Sequence, residues 1–348
     1  MKEKTYPPLA AVKRIAMQYP GLFEEADQVI HDFNEDYGWD KSVCYCNIGA
    51  AEGFLQAYHG LSEQDAAGMG AYIASAISWR QSKMVYKFDE DLLEEILDNC
   101  DDIVVPSEIL HKLPAPCIFI EIPFPGFRGI KNPGFFVFIE SEFDTRNEEL
   151  RMVFVDDSGC LTNQYIVHIG HDLTIGEGID ATIRRSKQSM SNMEIPDDIA
   201  NRFLNYWETM RNAMIQAVHL VLYICAENAD IKRDSEHEKI RKKPTKGNIK
   251  DRYAELERFD VGKDLGPIIR KVKHNAASHP EYVDTDYDDE DTADLKPQNK
   301  KRTHLRRAHY HHYWRGPKDH QELFLRWINS TIVNGEVDDI PVIEVDME

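Results

Sequence analysis

In the first hundred residues, apolar positions recur with a helical period. Between Leu9 and Tyr19, Val12, Ile15 and Ala16 fall on one face, and Pro20-Gly21 ends the run. Leu22, Ala26, Val29, Ile30 and Phe33 predict a second helix. Ser62-Glu63-Gln64-Asp65 has the form of an acidic-capped helix start. The helix it opens carries Ala66, Ala67, Gly68, Gly70, Ala71, Ala74, Ser75 and Ala76, small residues that let another element approach closely. Phe88 to Leu97 predicts a further amphipathic helix.

Near Pro114 the period shortens. Cys117–Ile122, Gly134–Ile139, Arg151–Val155 and Tyr165–Ile169 are apolar runs separated by Pro125-Gly126, Asn132-Pro133-Gly134 and Asp157-Ser158-Gly159. Four strands with hairpin-length connections predict an antiparallel sheet. Asp197 to Ala226 predicts a long helix, apolar at Phe203, Trp207, Met210, Met214, Val218, Val221, Leu222 and Cys225, that packs on the sheet. Beyond Asp230 the pattern fades into a basic stretch, Lys239 to Lys250, and an acidic run through Asp284, Asp286, Asp288, Asp289, Glu290, Asp291 and Asp294. Two strand-like runs, Arg302 to Gly316 and Glu322 to Gly335, close the chain around Gly316-Pro317. The expected fold is α+β. It has an N-terminal helical part (1–112), a central antiparallel sheet covered by a long helix (113–229), a charged irregular connection (230–300) and a small C-terminal β-hairpin (301–348).

Composition adds one thing. A chain of 348 residues is long enough for about two domains and needs no disulfide or metal staple. Its 61 acidic and 41 basic residues give a net charge of −20. Such a field repels phosphate backbones and anionic lipid at long range, and favours a basic partner unless the cations are clustered. Cys44, Cys46, Cys100, Cys117, Cys160 and Cys225 do not form a disulfide framework, the first 20 residues lack an apolar signal core, and no run approaches a membrane span. A reduced, cytoplasmic protein is expected.

Phosphate-loop, dinucleotide, nucleophile-elbow and zincin signatures are absent, and no cofactor is expected. Cys44-Tyr45-Cys46 has no second cysteine pair at zinc-site spacing and reads as two small hydrophobes. His168, His171 and Asp172 at a strand end suit a strand-to-loop transition better than a metal or acid–base site. Asp156-Asp157 before Ser158-Gly159 reads first as turn chemistry.

The unusual segment is Lys300 to Gly316, with six Lys/Arg, four His, three aromatics and no acid. On a strand, Arg307, His309, His311 and Tyr313 share one face, and Arg306, Ala308, Tyr310, His312 and Trp314 the other. Cations interleaved with rings suit RNA, because arginine takes phosphate and rings stack on bases. The same strand could instead dock on the acidic body, or His309 and His311 could serve metal binding or acid–base chemistry.

The run His304-Leu305-Arg306-Arg307-Ala308-His309-Tyr310-His311-His312-Tyr313-Trp314-Arg315-Gly316, followed by Phe324-Leu325-Arg326-Trp327-Ile328 and Ile332-Val333-Asn334, resembles one anti-CRISPR family. It is the type V-A inhibitor family whose members lower the level of the effector nuclease. The family pattern reads H-x-R-R-G-H-W-H-x-Y-W-x-G, then R-x-R-W. Tyr72, Trp79-Arg80, Tyr86, Asp89-Glu90, Leu113-Pro114 and Cys117 match upstream, and Cys225-Ala226-Glu227 matches at the end of the long helix. Ala308 and Tyr310 stand where the family has Gly and Trp. The resemblance implies a phage or mobile-element protein that acts in a bacterial host by recognising the nascent N-terminal peptide of the nuclease, after which the mRNA is lost. It implies no catalytic residue, since host nucleases can do the cutting. For a basic nascent peptide the candidate contacts are the acids at strand margins, Glu121, Glu140, Glu142, Asp156 and Asp157. For RNA or the ribosome they are Arg306, Arg307, His309, His311, Tyr313, Trp314 and Arg315, with Trp327 supporting the fold. The alternative is an RNA-binding or RNA-cleaving protein acting through His309, His311 and nearby acids.

Overall fold

The computed structural model describes residues 6–37, 40–100, 103–125, 131–141, 147–191, 197–234, 256–278, 304–318 and 320–333. Four helices come first: α1 (Pro7–Gln18), α2 (Leu22–Tyr37), α3 (Ile48–His59) and α4 (Glu63–Ser82). Proline at the first turn of α1 costs no hydrogen bond, because those N–H groups have no partner within the helix. Ser62 caps α4 by accepting the Asp65 N–H. The sequence pattern does not mark α3. Its stops are local: Asn47 accepts the Gly49 and Ala50 N–H groups, and Gly60 ends it in the left-handed conformation.

The chain then forms β1 (Met84–Phe88), α5 (Glu90–Asp98) and a 3-10 turn (Ser107–Lys112). Phe88 therefore ends a strand rather than opening a helix, because Asp89 takes the N-cap of α5. The four expected strands are β2 (Cys117–Pro125), β3 (Lys131–Ser141), β4 (Glu148–Val155) and β5 (Leu161–Ile169), each antiparallel to the next. Next come α6 (Ile175–Ser191) and the long helix α7 (Asp197–Cys225), then β6 (Ile231–Arg233), β7 (Glu257–Val261) and α8 (Leu265–Ser278). Among the described residues the sheet has seven strands in the order β5-β4-β3-β2-β1-β7-β6, with β1 parallel to both β2 and β7.

The described parts of 230–300 are thus more regular than an irregular connection. The reason is tertiary: β7 finds β1 as a partner, Phe259 stacks on Tyr86 at 4.9 Å and Val261 is buried. The basic stretch Lys239–Lys250 and the acidic run near Asp288 lie outside the described residues.

Strand alternation divides the core. Ile118, Ile120, Phe135, Val137, Leu150, Met152, Phe154 and Val167 join one cluster with Met214, Val218, Val221 and Leu222 of α7. Cys117, Phe119, Phe136, Phe138, Val153 and Val155 join another with Ala71, Ala74, Ile77 and Trp79 of α4. A Cβ on Gly134 would sit 2.3 Å from the Ile120 carbonyl oxygen, so the strands require glycine there. Helix α6 lies along the outer edge of β5, where Thr182 donates to the Ile166 carbonyl at 2.9 Å. The opposite edge is the three-residue β6. Among the described residues no helix is long and apolar enough to cross a membrane.

The C-terminal runs divide further than expected. They give β8 (His304–Arg306), β9 (His309–Arg315), β10 (Glu322–Ile328) and β11 (Thr331–Val333). Strands β9 and β10 form a hairpin, and β8 pairs with β11 in a separate ladder. The break falls at Arg307-Ala308, where Ala308 enters the core. Gly316 turns the hairpin at φ +116°, and a Cβ there would lie 2.6 Å from the His320 carbonyl oxygen.

Candidate functional site

The hairpin has two unlike faces. Leu323, Leu325 and Trp327 of β10 are buried and belong to the core that holds α7. Tyr310 pairs with Trp327 across the strands, packs its ring against it at 4.8 Å and donates its hydroxyl to the His219 carbonyl at 2.6 Å. His312, opposite Leu325, shares this inner face, and burial lowers its pKa. The end of α7 secures the hairpin. The Glu227 N–H donates to the Leu325 carbonyl at 2.8 Å, and the Asn228 side chain both donates to and accepts from the backbone of Trp327 at 2.9 Å.

The outer face carries His309, His311, Tyr313 and Arg315 of β9 opposite Ile328, Arg326, Phe324 and Glu322 of β10. Its rings form a ladder. His311 and Tyr313 are near-parallel with centroids 6.3 Å apart, and Tyr313 and Phe324 follow at 5.8 Å. Cations close one end: the Arg315 guanidinium lies 4.6 Å and Lys112 Nζ 4.8 Å from the Phe324 centroid. Lys112 also pairs with Glu322. A second carboxylate reaches this face from the end of α7. Glu227 accepts the Tyr313 hydroxyl, lies 3.2 Å from Arg315 Nη2 and lies 3.6 Å from Arg326 Nη2. The Tyr313 hydrogen bond and then the Arg315 contacts hold its carboxyl below the usual range, against burial. In return, burial and Glu227 raise the Tyr313 hydroxyl.

Of the residues expected to meet RNA, His309, His311, Tyr313 and Arg315 share this outer face. Trp314 belongs to the inner register opposite Leu323 but sits at the end of the strand, 47% exposed. Arg306 and Arg307 are exposed at the end of β8 and just beyond it. His309 Nδ1 lies 3.2 Å from the Arg307 carbonyl oxygen. Among the described residues no group of three His, Cys, Asp or Glu is placed to hold a metal. Sequence reading did not single out Lys112, Glu227, Phe324 or Arg326 as parts of this surface. The strict alternation of β10, and the Glu immediately after α7, were the available signals.

The acids expected to meet a peptide do not converge. Glu121 pairs with Arg258 at 3.3 Å, the two side chains 18% and 12% exposed. Glu140 is 4% exposed and accepts the Ile48 N–H at 3.1 Å and the Asn47 side-chain amide at 2.7 Å. Burial pushes its carboxyl up to about 8, although the Ile48 N–H and the charge of Arg151 pull the other way. Asp156 accepts the Ser158 and Cys160 N–H groups at 2.8 and 2.9 Å, which is turn chemistry. Asp157 is exposed, and Glu142 lies outside the described residues. Glu121 and Glu140 stand near opposite ends of the sheet, because their β3 partners run from Gly134 to Glu140 itself, about 20 Å along a strand. His168 Nδ1 lies 2.9 Å from Glu149 in a network with Arg151, and His171 lies 3.1 Å from Glu108.

The family model described as the AcrVA2-like anti-CRISPR type V subtype A2 family matches residues 86–335, from β1 through the hairpin. The chain belongs to this family. A solved structure described as the crystal structure of AcrVA2 superposes with a TM-score of 0.60 at 14% identity, covering 94% of this chain and 99% of that chain. This likeness extends the shared fold to the N-terminal helices. Comparison with curated proteins finds no match. Family membership supports an anti-CRISPR function directed at type V-A systems.

Most residues that carry the sequence resemblance hold the fold. Tyr72 donates to the Gly159 carbonyl, Trp79 Nε1 to the Met84 carbonyl at 2.9 Å, and Cys117 is buried. Ala308 and Tyr310, the two departures from the family pattern, face inward. The motif blocks at Cys225-Ala226-Glu227 and Arg315, with Arg326, meet at the Glu227 carboxylate.

Proposed function

We propose that the chain inhibits a type V-A CRISPR effector nuclease during its synthesis: it recognises the nascent N-terminal peptide and promotes loss of the mRNA, with the outer face of β9–β10 meeting RNA or the ribosome. Family membership supports the target class. The observation that carries the contact surface is the ladder of His311, Tyr313 and Phe324 bordered by Arg315, Arg326 and Lys112, in a chain of net charge −20. Such a surface suits phosphate and stacked bases. The peptide contact belongs to the acidic body. Asp157 is the exposed acid among the four described candidates, whereas Glu121, Glu140 and Asp156 already satisfy groups of the chain itself. Strand addition at β5 would have to displace α6.

The test is capture of translating ribosomes on the purified protein, with the attached nascent chains identified and the nuclease mRNA quantified. Enrichment of nuclease N-terminal peptides together with mRNA loss is expected. Capture of nascent chains without preference for the nuclease would overturn the reading. The second reading, direct RNA cleavage, draws on the outward placement of His309 and His311. Cleavage of the mRNA by the purified chain without ribosomes would establish it.

A further inference from the structure

We propose that the outer face of β9–β10 binds single-stranded RNA in competition with Glu227, whose carboxylate occupies the seat of a backbone phosphate in the free protein. The inference rests on the reading that this face meets RNA. It adds which groups receive the phosphate and what sets the affinity.

The seat is chemically apt. A phosphodiester and a carboxylate each carry one negative charge and two oxygens open to donors, and guanidinium groups recognise both. The donors around Glu227 are the Tyr313 hydroxyl, Arg315 and Arg326. Its two oxygens take hydrogen bonds from Tyr313 and Arg315 but not from Arg326. Arg326 Nη2 stays 3.6 Å away, beyond hydrogen-bond range, and Arg326 Nε is buried without an acceptor. Such a buried donor without a partner is costly.

The rings supply the second half of the site. The ladder of Phe324, Tyr313 and His311 is closed by cations at Phe324 and ends at the exposed ring of His311. A base placed on His311 continues the ladder, a contact any base can make. The backbone of the same strand then runs toward Arg306 at one end and the Arg315–Arg326 pair at the other. A site for an acidic peptide would use the cations and leave the ladder idle.

Glu227 can yield without undocking the hairpin. Its own N–H holds the Leu325 carbonyl, and Asn228 holds both backbone groups of Trp327, so the attachment does not depend on the carboxylate. While it stays in place, Glu227 neutralises the two arginines and weakens RNA binding. Its displacement restores them for phosphate.

The experiment uses the full chain and a fluorescent twelve-nucleotide oligouridine, titrated at several salt concentrations. Glu227→Gln is expected to bind about tenfold tighter at low salt, with a salt slope steeper by roughly 0.7 for each further phosphate that the freed arginines neutralise. Arg315→Ala is expected to lower the wild-type slope less than it lowers the slope of Glu227→Gln, and to abolish most of the tightening in the Glu227→Gln background. A purely structural role for Glu227 would not produce that non-additivity. If Glu227→Gln lowers the melting temperature, Glu227→Asp keeps the charge but withdraws it, and an intermediate tightening is expected. Wild-type binding that neither Glu227 variant strengthens overturns the inference alone. Absence of oligouridine binding by both wild type and Glu227→Gln overturns the inference and the reading beneath it. Equal affinity of Glu227→Gln for polyglutamate of the same length overturns the assignment to nucleic acid.

Discussion

The rim of the central sheet and the outer face of the C-terminal hairpin carry the same kinds of charged side chain and use them in opposite ways. At the rim, Arg258 is enclosed by Glu121 and Asp234, Glu140 caps α3, and Arg151 and His168 share Glu149. These groups pair chiefly with one another, although Arg151 Nε and Arg258 Nε are buried without a hydrogen-bond partner. On the hairpin, Arg315 and Lys112 lie over the Phe324 ring, and among the described residues Glu227 is the acid that faces both Arg315 and Arg326. Net charge therefore says little about where a partner binds. Burial decides which charges are already committed.

Substitutions test this contrast, and the largest effect belongs to the inner face of the hairpin. Trp327→Ala removes a side chain that is 2% exposed, and should cost about 4 kcal/mol of unfolding free energy, read from denaturant melts. A loss under about 1 kcal/mol would mean that the hairpin is not anchored in the core.

At the rim, Glu121→Ala leaves Arg258 with Asp234 at 3.8 Å and should cost about 3 kcal/mol. The same variant should leave the affinity for a basic nascent-chain peptide unchanged. A large affinity loss with an unaltered melt would return Glu121 to the binding surface. Asn228→Ala removes both hydrogen bonds to the Trp327 backbone and should cost about 2 kcal/mol. Limited proteolysis should then cut near the hairpin first.

Glu140 gives a dependence on pH. Its folded pKa, about 8, lies above the usual 4.5, so the folded chain retains a proton that the unfolded chain has lost. The associated stability is present at low pH and is lost as pH rises from about 4.5 through about 8. The melting temperature should fall between pH 5 and pH 8, and Glu140→Gln should flatten that fall. His111, raised by its hydrogen bond to Glu148, acts in the same direction, so His111→Gln is the control. An unchanged slope in Glu140→Gln would show that the Ile48 N–H and Arg151, not burial, govern this carboxyl.

The smallest effect on stability is expected on the exposed side of the hairpin region. Arg306→Ala should change unfolding free energy by less than about 0.5 kcal/mol. It should lower the salt slope of RNA or ribosome association by about 0.7. An unchanged slope would remove Arg306 from the contact surface.

Much of this architecture is legible from spacing. The β2–β5 strands and α7 follow from apolar runs and turn residues whose meaning is local, and the small-residue stripe of α4 marks close approach to the sheet. Apart from α3, whose caps are local, what escaped the pattern had partners distant in sequence. Strand β7 exists because β1 lies beside it, more than 150 residues earlier in the chain, and β6 is only three residues long. The break between β8 and β9 arises because Ala308 is drawn into the core, an event that a run of basic residues does not announce.

Periodicity and composition are local properties, and local chemistry was enough for the α+β class, the central antiparallel strands and the concentration of cations and rings near the C-terminus. It was not enough to say which of those cations face outward, which acids are consumed inside the fold, or that Glu227 stands among Tyr313, Arg315 and Arg326. Those outcomes depend on side chains from α7 and the hairpin meeting across about 90 residues of chain, a geometry that no spacing within either segment encodes.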